Sequence, residues 1–104
     1  MTMRILSGYA KVDQNFAHRG TATIDFNNFQ VTGNATGHDL VQIGTRSFTS
    51  SPAFHVAPRS FATGQPPCTM SIKVTNVSAQ RLTIEWGNSP DMDIYDISFM
   101  IIGE

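Results

Sequence analysis

Met70-Ser71-Ile72-Lys73-Val74-Thr75-Asn76 and Arg81-Leu82-Thr83-Ile84-Glu85-Trp86 alternate apolar and polar residues almost one for one. Successive side chains of an extended chain leave opposite faces of a sheet, so this alternation predicts two half-buried strands. Asn76 to Gln80 joins them as a tight hairpin. A third segment, Ile94 to Ile102, places Tyr95, Ile97, Phe99 and Ile101 on one side. Its other side carries Ile94, Met100 and Ile102 beside Asp96 and Ser98. A strand apolar on both faces needs cover on both, and a second copy of the chain is the expected source. Ile94, Met100 and Ile102 are therefore the expected oligomer interface.

Working outward, Arg4–Val12, Thr21–Phe26, Val41–Phe48 and Ala53–Phe61 read as further strands. Together with Met70–Asn76, Arg81–Trp86 and Ile94–Ile102 they predict an all-β fold, an antiparallel β-sandwich of about six to seven strands. No window repeats apolar residues at helical spacing, because Gly, Pro and Thr interrupt every candidate. Thr32-Gly33-Asn34-Ala35-Thr36-Gly37 reads as a small-residue loop, Gly64-Gln65-Pro66-Pro67 as a stiff turn, and Gly87-Asn88-Ser89-Pro90-Asp91 as a link across one rim. The 104 residues form one expected domain, 1–104, with no repeat or linker.

Composition excludes several functions. Charged residues make up 14% of the chain, against ~25% in an average soluble domain, and the net charge is −1. Phosphate binding requires a clustered basic face, and the seven Lys and Arg residues are scattered, so nucleic acid is not an expected partner. The longest apolar run falls well short of the ~20 residues that span a bilayer, so no membrane insertion is expected. Met1-Thr2-Met3-Arg4 opens no apolar signal region, which predicts synthesis in the cytoplasm, with display on a virus particle as a destination. The sequons at Asn34 and Asn76 then carry no weight. The single cysteine, Cys68, makes an internal disulfide impossible and reads as a small buried apolar residue.

The sequence offers little for catalysis. His18, His38 and His55 are isolated from one another, which is unfavourable for a metal centre, and no cofactor is expected. A nucleophile elbow and a glycine-rich phosphate cradle are both missing. Asp91, Asp93 and Asp96 lack the loop spacing of a calcium site. Trp86 shares the parity of Leu82 and Ile84, which favours the core, with a sugar-stacking platform as the rival reading. Arg46 and Arg59 lie in segments whose faces the pattern leaves open.

The opening Arg4-Ile5-Leu6-Ser7-Gly8, and the run from Ile72 through Val77 and Leu82 to the Ile94-Tyr95 pair and its alternating strand, resemble the H-type lectin domain. That resemblance implies an antiparallel sandwich assembled as a trimer, often stacked into hexamers, that binds galactose-type sugars. The family's pocket arginine and tryptophan fall at Thr69 and Ser89, so only Tyr95 carries over directly, and Trp86 substitutes for the tryptophan with a gap. The implied ligand contacts are Tyr95, Trp86, Asn88 and Asp91, and the implied activity is non-enzymatic carbohydrate binding or cell-surface attachment. The alternative is a structural virion component, such as a phage capsid decoration, tail or fibre protein, acting through protein–protein assembly.

Overall fold

The computed structural model describes residues 3–44, 48–61, 70–88 and 94–104. Among the described residues there are eight strands, β1 (Arg4–Val12), β2 (Arg19–Asp25), β3 (Gln30–Gly33), β4 (Ala35–Ile43), β5 (Ala53–Phe61), β6 (Met70–Val77), β7 (Arg81–Asn88) and β8 (Ile94–Gly103). They form two four-stranded antiparallel sheets packed face to face, β4-β1-β8-β5 (sheet I) and β3-β2-β7-β6 (sheet II). The alternation seen in sequence explains the core. Leu6, Ala10, Ile97, Phe99 and Ile101 point inward from sheet I, and Ala22, Ile24, Leu82, Ile84 and Trp86 from sheet II. Each fully buried aliphatic chain contributes ~1.5–3 kcal/mol.

The chain crosses from sheet I to sheet II through a short 3-10 turn, Gln14–Phe16, which the sequence pattern did not indicate. The Asp13 carboxylate accepts from the Asn15 N–H at 3.0 Å and fixes its start. The β6–β7 connection is the expected hairpin. Its Ser78 Oγ accepts from the Gln80 and Arg81 N–H groups at 3.2 and 3.3 Å.

Two strands replace the expected loop at Thr32–Gly37. β3 and β4 meet at a corner where Gly33 has φ +95° and Asn34 caps β2 through its side chain, accepting from the Thr21 N–H at 3.1 Å. The small residues there serve packing. A Cβ at Gly37 would lie 3.1 Å from both Leu40 Cδ1 and Val31 Cγ2, so glycine lets those two chains seal the core. The expected strand Val41–Phe48 is correspondingly corrected: β4 runs Ala35–Ile43, and Phe48 lies outside the strands, 6% exposed and edge-on to Phe26 at 5.2 Å.

Candidate functional site

The residues singled out in sequence do not converge. Trp86 is 1% exposed, and its Nε1–H donates to the Phe16 carbonyl at 2.8 Å. Its ring lies across Gly20 on β2, where an added Cβ would stand 2.6 Å from Trp86 Cζ2. Both ring and polar handle are committed to the core, so no face remains for a sugar. Tyr95 leaves the expected apolar stripe and is 39% exposed at the start of β8. The Asn88 side chain, Asp91, and the positions Thr69, Ser89, Arg46 and Cys68 lie outside the described residues.

Ile94 is a second correction, because it is fully buried rather than available to a neighbouring copy. The register explains the inversion. β5 pairs Pro58 with Ile97, Ser60 with Asp96 and Phe61 with Ile94, with shifts on both sides of Ser60. Ile94 and Ile97, three apart, consequently both face inward, and strict alternation resumes only from Ile97. The Ile94 N–H donates to the Ala17 carbonyl at 3.1 Å, which holds the strand's first residue against the body. Met100 and Ile102 do face outward, at 45% exposure for Met100.

The registers assemble those two residues into a larger surface. Across the outer face of sheet I, Ile43, Ile5, Ile102 and Ala53 stand in one row. Val41, Ser7, Met100 and His55 form the next. Val41 and Ile43 are 51% and 55% exposed. Ala53, Phe54, His55, Met100 and Ile102 surround an apolar hollow of about 130 Å³. These two rows contain no permanently charged side chain.

The other end of the same face is polar. His38, Tyr9, Ser98 and Ala57 make the third row, and Thr36, Lys11 and Asp96 continue into the fourth. Because Ser98 is small, Arg59 reaches across it. Its guanidinium lies 3.9 Å from the Tyr9 ring centroid and donates to the Asp96 carboxylate at 3.1 Å. Tyr9 is in turn stacked on His38, with centroids 5.5 Å apart and planes 17° from parallel. Tyr9 thus contacts both neighbours, and the three side chains form a ridge that borders the apolar half. Beyond it, Lys11, Asp13, Gln14, Thr36 and His38 line a cleft of about 430 Å³, within the ~300–1,000 Å³ of small-ligand sites.

Sheet II presents the opposite character. Its outward rows read Gln30, Asp25, Arg81; then Thr32, Thr23, Thr83, Asn76; then Thr21, Glu85, Lys73. Thr23 and Thr83 hydroxyls lie 3.3 Å apart, and Lys73 Nζ is 3.9 Å from Glu85. This is a sheet face built for water.

Sequence reading missed Ile5, Val41 and Ile43, and with them the ridge of Tyr9, His38 and Arg59. The available signal was the outward parity of β1, Ile5-Ser7-Tyr9-Lys11, which repeats the apolar-to-polar gradient of the whole face. Among the described residues no group of His, Cys, Asp and Glu could hold a metal ion, and no helix is long and apolar enough to cross a membrane. No protein-family model, curated protein or solved structure matches the chain.

Proposed function

We propose that this chain is a non-enzymatic attachment module that works as an oligomer. Copies assemble through the outer face of sheet I, as a trimer in the arrangement the lectin resemblance implies. The assembly binds cell-surface carbohydrate weakly at the cleft beside its polar end, and several clefts held in one particle raise that affinity by avidity. The observation that carries this reading is the contrast between the two outer faces, one Thr-rich and charged, the other aliphatic over half its length.

A second copy is the occupant that fits the apolar half. That half brings no like charges together when it meets itself, and a net charge of −1 adds little long-range repulsion. Four strands ~4.8 Å apart and four outward rows ~6.8 Å apart give a face of about 500 Å² in projection. A standard interface buries about 800 Å² of accessible surface per partner, so a contact confined to the aliphatic half is a small one that leaves the cleft beyond the ridge open. The aliphatic rows then form its dry centre, and the Tyr9–Arg59 ridge its polar rim, the usual anatomy of an interface.

Burial of Trp86 favours a second reading, a structural component of a virus particle that assembles without binding sugar. Sedimentation of the purified chain tests assembly, and a glycan array on the assembled protein separates the two readings. Binding that is lost in Lys11→Ala and His38→Ala supports the attachment module. An assembled protein that binds no glycan leaves the structural role.

A further inference from the structure

We infer that assembly through the outer face of sheet I is switched off by acid, with His55 as the proton sensor. The inference rests on the assembly reading above and adds its regulation. His55 is the titratable side chain of the two aliphatic rows. It stands opposite Met100 on the paired strand and shares the apolar hollow with Ala53, Phe54, Met100 and Ile102. In the separate chain it is exposed, so either protonation state is solvated. A second copy laid over the hollow removes that water. A neutral imidazole tolerates the change, whereas an imidazolium is left buried without a counter-ion.

Among the described residues, the charged groups around it supply no such counter-ion. On β8, the strand paired with β5, and just past its end, Asp96 and Glu104 each lie four positions from Met100, ~13 Å along the extended chain, and Asp96 is already held by Arg59 at 3.1 Å. Arg59 itself is four positions from His55 on its own strand. From β6, packed along the sandwich edge, Lys73 belongs to the outer face of sheet II, 3.9 Å from Glu85. Arg4 on β1 pairs with Gly103, on the inward parity. Tyr9, Lys11, His38, Asp39 and Tyr95 are at or beyond the polar ridge. A copy approaching with the same face brings its own uncharged rows.

The sign follows from linkage. The assembled state binds the proton less well than the separate chain, so assembly is complete above the imidazole range and is lost as pH falls through it. An ordinary imidazole is neutral about one part in thirty at pH 5. A contact burying one His55 from each copy therefore weakens by up to about 10³-fold between pH 8 and pH 5.

Sedimentation equilibrium of the full chain at the two pH values tests this, with far-UV circular dichroism confirming that the sheet persists. The expected result is a large loss of association for the wild type, none for His55→Gln, and an unchanged loss for His18→Gln, whose position adjoins sheet II. NMR titration of the His55 ring provides a second reading: its midpoint should lie lower in the assembled protein than in monomeric Met100→Asp. Wild-type association that is equal at both pH values, or a full loss retained in His55→Gln, overturns the inference while leaving assembly intact. A wild type that is monomeric at both pH values overturns assembly itself, and the switch with it.

Discussion

Replacing Met100 with aspartate is the sharpest perturbation of the outer face of sheet I. Met100 is 45% exposed, so the chain's own fold already uses about half of the ~1.5–3 kcal/mol that full burial of such a side chain provides. Docking a second copy recovers the rest, about 1 kcal/mol. Aspartate forfeits that amount and adds a carboxylate to a dry contact, where an unpaired buried charge costs several kcal/mol. Taking only 3 kcal/mol in total, association weakens by at least about 10²-fold. The folded chain should tolerate the change, because exposed substitutions usually fall within ~0.5 kcal/mol, a shift of only a few degrees in Tm. Sedimentation velocity and thermal unfolding on the same sample therefore separate assembly from folding. Thr32→Asp, on the outer face of sheet II, is the control and should leave association unchanged. Met100→Asp sedimenting with the wild-type oligomer refutes the proposed contact, as does a wild type that is monomeric throughout.

Three further substitutions test other parts of the structure. Trp86→Ala removes a buried ring and its bond to the Phe16 carbonyl; chemical denaturation should show a loss of ~3–5 kcal/mol. Gly20→Ala drives a Cβ to 2.6 Å from Trp86 Cζ2, and the same assay should show ~1–3 kcal/mol of overpacking. Arg59→Ala breaks an exposed stack on Tyr9 and a partly exposed ion pair with Asp96, so a urea titration should lose at most about 1 kcal/mol; a larger loss would make the ridge a folding element rather than a surface one.

The sandwich was legible where alternation is strong. β5, β6, β7 and β8 follow the expected spans to within a couple of residues, because Ile72, Val74, Leu82, Ile84 and Trp86 keep period two on a face that must be buried. β3 and the first half of β4 were not legible. There the inward positions are Ala35 and Gly37, and the small size of Gly37 reflects close approach by Leu40 and Val31 rather than a turn. The face of Ile94 was lost for another reason. A register irregularity opposite Ser60 changes parity in mid-strand, and such a shift leaves no local trace in composition. The ridge of Tyr9, His38 and Arg59 required all three strand registers of sheet I at once, since its members lie on β4, β1 and β5 with β8 between the last two.

The proposal of assembly through a face rather than an edge also accords with how the edges are built. The outer strands of sheet I are β4 and β5. β4 carries a bulge at Asp39, whose φ is +51°, opposite Gly8 on β1. A Cβ at Gly8 would meet Leu40 Cδ2 at 2.8 Å, so glycine is what lets this irregular crossing close. β5 contains Pro58, which has no N–H to donate, and two register shifts follow it. In sheet II, β3 spans four residues and β6 is shifted between Val74 and Asn76. Each of these features interrupts the row of backbone groups that an added strand would need, which is how natural sheets avoid open-ended ladder growth. The aliphatic half of sheet I has no such guard. Contacts through it would be between side chains on one finite patch, so the proposed association would saturate when the patch is covered and yield a closed assembly in place of a fibre.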